Sequence, residues 1–200
     1  GGFCPDMPAI MDVAHRHDLH VVEDACHAPL ASLDGHSIGG WGNTGAFSFF
    51  GNKNLSIGEG GMLVTNSGKH ADLFRRLRTH GMSTTTWDRH QGHATKYDIQ
   101  SPGYNYRMDE IRAAVGREQL KKLAAANQRR QKTDHLLREQ LAALDIPGLI
   151  IPFSHARGNS AHHLFVILLP AGTCRDMFRQ KLLEEGIQTS IHYPLLDSFT

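Results

Sequence analysis

The stretch Phe47-Ser48-Phe49-Phe50-Gly51-Asn52-Lys53-Asn54-Leu55-Ser56-Ile57-Gly58-Glu59-Gly60-Gly61-Met62-Leu63-Val64-Thr65 decides the reading of this chain. An apolar, aromatic run with strand character ends on a lysine-bearing loop. A glycine-rich turn follows, and then a second short apolar run. Upstream, Val21-Val22-Glu23-Asp24-Ala25-Cys26-His27-Ala28 ends another apolar run on two acids. Strand ends carrying a lysine and an acid are the element the rest of the sequence must explain.

Working outward, Asp6 is placed to cap a helix over roughly 7–17, with Pro8 in its first turn and Ile10, Val13 and Ala14 as its apolar face. Residues 20–24 read as a buried strand. Helix followed closely by strand is the rhythm of an α/β sheet. Residues 34–43 are turn-rich and read as a loop; 44–50 and 61–65 read as strands around the turn 58–61. A basic amphipathic helix is expected over 69–80, with Leu73, Phe74 and Leu77 inward. The polar segment 82–103 has no period and reads as a long loop. From Met108 a helical pattern runs to about 143. Ile111, Val115, Leu120 and Leu123 form its face, continued by Leu136, Leu137, Leu141 and Leu144, and a break is expected near 127–131. Pro147-Gly148 ends it. The runs LIIPF and HLFVILLP read as strands, 174–186 as a helix closed by Gly186, and QTSIHY follows. A second, smaller domain is therefore expected from about 146, giving 1–145 and 146–200.

Composition narrows the function classes. Basic residues number 21 and acidic residues 20, so net charge is +1 and no electrostatic footprint for nucleic acid or an anionic membrane exists. No apolar run is long enough to span a bilayer. Cys4, Cys26 and Cys174 are widely spaced and odd in number, which fits a reducing, cytoplasmic setting better than a disulfide framework. The 14 histidines, including His15 and His17 and the pair His162-His163, match no zinc spacing, so no metal site is expected. The basic cluster Arg75, Arg76 and Arg78 reads as a solvated helix face. Gly1 opens the chain without a methionine, and the expectation is an internal piece of a longer protein.

A primary amine at one strand end and a carboxylate at its neighbour form a chemically competent pair for pyridoxal phosphate. The amine condenses with the aldehyde, and the acid pairs with the ring nitrogen. Alone, each residue has a plainer reading: Lys53 a solvated lysine, Asp24 a helix cap, His27 a hydrogen-bonded buried histidine, Ser48 a packed strand serine, Asn105 a turn asparagine.

Six segments in one order carry more weight: VVEDACHA, FSFFGNKN, GEGGMLVT, LRTHG, GYNYRMDEIRAAVGREQL and IHYP. Together they resemble the DegT/StrS family of pyridoxal-phosphate-dependent nucleotide-sugar aminotransferases, over nearly the whole chain. The resemblance implies the type I aminotransferase fold, here part of the large α/β domain followed by the start of a small α+β domain. It implies a homodimer with shared active sites and a role in polysaccharide biosynthesis. Lys53 would be the Schiff-base lysine and proton shuttle, Asp24 the partner of the ring nitrogen, and His27 a contact of the phenolic oxygen. Ser48 would bind the phosphate, and Asn105 would reach the phosphate in the neighbouring subunit. Arg107, His192 and Tyr193 would approach the substrate. The expected reaction moves an amino group from an amino acid, with glutamate as the expected donor, to a nucleotide-linked keto-sugar in a ping-pong cycle. A related branch dehydrates sugars on the same fold but carries histidine at the lysine position, which Lys53 argues against. A non-catalytic cofactor-binding regulator is the remaining alternative. The family's upstream phosphate loop and ring-stacking aromatic residue lie outside these 200 residues.

Overall fold

The computed structural model describes residues 1–83 and 98–193. Most of the expected 82–103 loop, including Thr84, Thr85 and Thr86, lies outside the described residues, as does 194–200.

Helix α1 (Met7–Arg16) starts where its cap predicts: Asp6 Oδ1 accepts from the Ala9 N–H at 3.2 Å, and Pro8 sits in the first turn. Its inward face differs from the expected one. Met7 and Ala14 are buried and Met11 packs beside them, whereas Ile10 and Val13 are exposed. At about 100° per residue, Ile10 and Val13 lie roughly 60° and 120° away from the Met7–Met11–Ala14 stripe.

Strand β1 (Val22–Asp24) is shorter than the 20–24 run, and it is not buried on both sides. Val22 is 71% exposed while Glu23 is 7% exposed, so among the described residues only the Glu23 face of β1 is covered. A hairpin of β2 (Ser32–Leu33) and β3 (His36–Ser37) lies partly inside the expected loop 34–43. Asp34 and Gly35 have φ of 49° and 81°, and a two-residue Asp-Gly turn with both φ positive matches the twist of a hairpin. β4 (Thr44–Ser48) and β5 (Gly61–Val64) form as expected, β4 stopping two residues short of Phe50. The sheet order is β1-β4-β5. β4 runs parallel to β1, pairing Glu23 with Gly45 and Asp24 with Ala46, and antiparallel to β5, pairing Ser48 with Gly61.

Between β4 and β5 the lysine loop is closed by its own backbone. The Phe49 N–H donates to Gly60 O (2.8 Å), and the Ile57 N–H donates to Phe49 O (2.9 Å). Gly58, at φ 87°, makes the expected tight turn.

Helix α2 (Gly68–Leu77) is capped by Ser67, whose hydroxyl accepts from the His70 N–H at 3.3 Å. None of its residues is fully buried; Phe74 and Leu77 are half-buried and Leu73 is exposed, a weaker inward face than expected.

Helix α3 (Glu110–Ala143) is one uninterrupted helix of 34 residues, about 51 Å long, with no break near 127–131. The run Asn127-Gln128-Arg129-Arg130-Gln131 contains no proline or glycine, and Gln and Arg are good helix formers. Its buried positions are Leu123, Asn127 and Asp134. Of the expected apolar face, Ile111, Val115, Leu120, Leu136, Leu137 and Leu144 are exposed, so the inward stripe is substantially polar.

Past α3 the expected strands reduce to one antiparallel bridge, in which Ile150 and Leu168 exchange N–H···O bonds of 3.0 and 2.8 Å. No strand forms over 188–193. Helix α4 (Arg175–Glu184) is shorter than 174–186, and Gly186, at φ 78°, follows its end. Residues 159–161 fold back onto the first half: Asn159 bridges Ser32, and Ala161, 0% exposed, completes the core built on Met7, Ala25, Ala28, Leu33 and Ile38. A second core joins Leu55 and Ile57 of the lysine loop to Leu123 of α3. No described helix is long and apolar enough to cross a membrane.

Candidate active site

The parallel register of β1 and β4 sets their carboxyl ends side by side, where open α/β sheets bind ligands. A cavity of about 640 Å³ opens there, and Asp24, Cys26, His27, Ser48, Lys53 and Tyr193 line it.

Asp24 ends β1, and alternation turns its carboxylate away from the side that buries Glu23. Its Oδ1 accepts from the Cys26 N–H at 3.1 Å. Hydrogen bonds from Cys26, side chain first and then backbone, hold the Asp24 carboxyl below the usual range, and the charges of His27 and Lys53 add to this. Asp24 is therefore an anion across neutral pH. Cys26 moves the other way: burial, then Asp24, push its thiol up to about 11. It stays protonated and is a poor nucleophile.

Ser48 lies two residues beyond Ala46 in β4, on the same face. Its Oγ accepts from the Phe50 N–H at 3.3 Å, which orients the hydroxyl and leaves its own proton to donate. Lys53 is half-buried on the closed loop, its N–H donating to Phe50 O at 3.0 Å. Lys53 lines the cavity together with Asp24, Cys26 and His27. His27 is pushed below its ordinary pKa, by burial first and then by Lys53, so its ring is neutral at physiological pH.

Behind this wall stands a group of residues not anticipated from sequence. The His27 and His163 rings meet at 4.3 Å between centroids. His163 Nδ1 is 2.7 Å from Asn54 Oδ1, on the residue after Lys53. Asn54 Nδ2 donates to Ala161 O (2.7 Å) and to Asn127 Oδ1 (3.2 Å), and Asn127 Nδ2 donates to Pro29 O (3.0 Å). On the opposite face of β1, Glu23 accepts from the N–H groups of Gly39 (2.6 Å), Trp41 (2.8 Å) and Gly42 (2.7 Å). Asn54 could have been suspected as the neighbour of Lys53. His163 and Asn127 carried no signal, since both are contacts across more than 70 residues of chain.

The other expected residues fall differently. Asn105 is exposed, bridges Thr79, and does not line the cavity; Arg107 is also exposed and outside it. His192 is exposed but near enough for its charge to depress His27, and Ser190 Oγ lies 3.1 Å from its Nδ1. Tyr193 reaches the cavity wall.

Residues 1–199 match the DegT/DnrJ/EryC1/StrS aminotransferase family. The chain is 42% identical over 198 residues to the spore coat polysaccharide biosynthesis protein SpsC of Bacillus subtilis, covering 96% of this chain and 50% of SpsC. Helicobacter pylori PseC, an aminotransferase involved in the biosynthesis of pseudoaminic acid, superposes with a TM-score of 0.87 at 25% identity, over 100% of this chain and 52% of PseC. S. venezuelae DesV, solved in complex with a ketimine intermediate, superposes with a TM-score of 0.85 at 34% identity, over 100% of this chain and 50% of DesV. The chain thus spans about half the length of the relatives it matches, and it shares their fold.

Proposed function

Because this chain belongs to the DegT/DnrJ/EryC1/StrS aminotransferase family, we propose that it carries the lysine-bearing wall of a pyridoxal-phosphate-dependent transaminase. The enzyme takes an amino group from an amino acid, glutamate in this reading, and delivers it to a nucleotide-linked keto-sugar. The observation that carries the reading is the convergence of Lys53, Asp24 and Ser48, with His27, on one cavity.

The donor set fits the cofactor. The cavity falls within the roughly 300–1,000 Å³ of small-molecule sites. The Lys53 amine is the nucleophile for an aldehyde, and the anionic Asp24 suits a protonated ring nitrogen. Ser48 has a free hydroxyl proton for a phosphate oxygen, and the neutral His27 ring can donate to a phenolic oxygen. When bound, the cofactor supplies an electron sink for the carbon that exchanges its amino group. The anionic Asp24 would hold the positive charge of a protonated ring nitrogen. The Lys53 amine would hold the cofactor and, as a base close to the reacting carbon, would carry the proton. Cys26, as a thiol, supports the Asp24 anion and takes no proton away.

The same reading makes the enzyme a cytoplasmic homodimer. An exposed Asn105 outside its own cavity supports a role across a subunit interface, and Arg107, His192 and Tyr193 are assigned to the substrate side. It also assigns 1–145 to the large domain and 146–200 to the start of the small one.

The test is Lys53→Ala in the full-length protein, assayed with glutamate and keto-sugar nucleotides. The variant is expected to lose turnover and the long-wavelength absorbance that pyridoxal phosphate gives with the wild type. Full activity without the lysine would sink the assignment.

A further inference from the structure

We propose that His163 is a positioning residue for the reaction, a clamp whose Nδ1–H fixes Asn54, and through it Lys53, while its ring backs His27. The proposal rests on the transaminase reading above.

The hydrogen-bond donors and acceptors leave one arrangement. Ala161 O can only accept, so the Asn54 atom 2.7 Å from it is the amide nitrogen. Asn127 Oδ1 also accepts from that nitrogen, and from Arg130 Nη1 at 3.1 Å. Both Asn54 amide protons are thus engaged, and its Oδ1 faces His163. An oxygen there requires a donor, so His163 carries its proton on Nδ1. Asn54 is held at three points by groups from α3, from Ala161 and from His163. It directly follows Lys53 on a loop that is also closed by the backbone bonds of Phe49, tied by Gln119 Nε2 to Ser56 O at 3.4 Å, and packed through Leu55 and Ile57 on Leu123. The ring of the same histidine lies against His27, on the cavity wall. One side chain therefore braces two members of the site while standing outside the cavity itself. Burial keeps it uncharged: its pKa is pushed down to about 4, by desolvation first and then by His27 and Lys53. A second positive charge is thus kept away from the Lys53 amine.

Two substitutions separate the clamp from mere packing. His163→Phe keeps a ring against His27 and removes the donor, leaving Asn54 Oδ1 unsatisfied. His163→Asn keeps a donor near the Nδ1 position and removes the ring. In the full-length protein, amide hydrogen exchange over 49–57 reads the loop. Borohydride trapping of pyridoxal phosphate on Lys53, titrated with cofactor, reads the positioning of the amine. In H163F, exchange over 49–57 is expected to rise about tenfold, and the cofactor concentration for half-trapping to rise about tenfold. H163N is expected to return both to within about threefold of wild type. The clamp is overturned if H163F matches wild type, if H163N is as impaired as H163F, or if faster exchange spreads evenly through α1 and α2. Failure of the wild type to trap cofactor on Lys53 would instead bring down the transaminase reading, and the exchange arm would still decide whether the clamp exists.

Discussion

The Gly39 N–H donates to the buried Glu23 carboxylate at 2.6 Å, and Trp41 and Gly42 donate to the other oxygen of the same group. Three backbone donors of the segment entering β4 thus converge on one side chain of β1. Glu23→Gln keeps the shape but turns one acceptor oxygen into a donor facing N–H groups. A loss of about 1–3 kcal/mol in unfolding free energy is expected. Urea denaturation of the two proteins measures it, and equal midpoints would contradict the role given to Glu23.

The same segment limits what Gly45 can become. A Cβ at Gly45 would collide with the backbone of Gly39, including its carbonyl oxygen. Backbone cannot swing aside as a side chain can, so Gly45→Ala should cost about 1–3 kcal/mol. Glu23→Gln and Gly45→Ala disturb one shared loop, and their costs should fall short of the sum in the double variant. Strict additivity in urea melts would show that the loop does not couple them.

The residues facing the cavity were legible because strand and loop signals are local. The alternation of β1 turns Glu23 and Asp24 to opposite sides, and the lysine loop announces itself by its glycines. The residues behind the cavity were not legible. Asn127, Asp134 and Arg138 lie on the inner side of α3, where an apolar stripe is the usual signal, while Leu120, Leu136 and Leu137 lie on exposed faces. The expected break in α3 failed because Asn127 is anchored to Pro29 and Asn54, and its neighbours favour helix. The expected strands over 149–153 and 163–170 reduce to the Ile150–Leu168 pair, because a strand needs a paired partner and a local apolar run does not specify one.

Asp24→Asn tests the charge of the site apart from its shape. An asparagine oxygen can still accept from the Cys26 N–H, so the turn at the end of β1 should survive. The negative charge is lost, and with it the partner proposed for the ring nitrogen. Turnover is expected to fall about 100-fold or more, the scale of removing one preorganised electrostatic partner. The melting curve should change little. Turnover close to wild type would remove Asp24 from the mechanism.

Arg138 joins α3 to the segment after it. Its Nε donates to Asp134 Oδ2 at 2.7 Å, its Nη1 donates to Pro152 O at 3.0 Å, and its guanidinium lies over the Phe3 and Phe165 rings. Arg138→Met leaves the buried Asp134 carboxylate without its main partner, with His162 Nδ1 at 3.4 Å and uncharged at neutral pH. The expected cost is about 3 kcal/mol. Adding Asp134→Leu to Arg138→Met should recover a large part of it, since the stranded charge is then gone. A double variant no more stable than the single one would show that packing, not the stranded charge, sets the loss.

Acid should weaken this fold through its histidines. His163 has a folded pKa of about 4 against an ordinary 6.5, lowered by burial first, then by the facing His27, Lys53 and Arg130. The folded state therefore binds fewer protons than the unfolded chain between those values, and stability must rise with pH across that window. The contribution of His163 is complete above pH 6.5 and is lost progressively as pH falls toward 4. His27 and His162, both lowered mainly by burial, act with the same sign. Asp24, its carboxyl held low mainly by Cys26, contributes stability above its ordinary 3.8 that is lost as pH falls below it. Urea midpoints of the full-length protein at pH 7.5, 6 and 5 should decline in that order. His163→Asn should decline less steeply, because one titrating group has been removed while the donor to Asn54 remains. An identical slope in that variant would show that His163 titrates in the folded protein as it does in the unfolded chain.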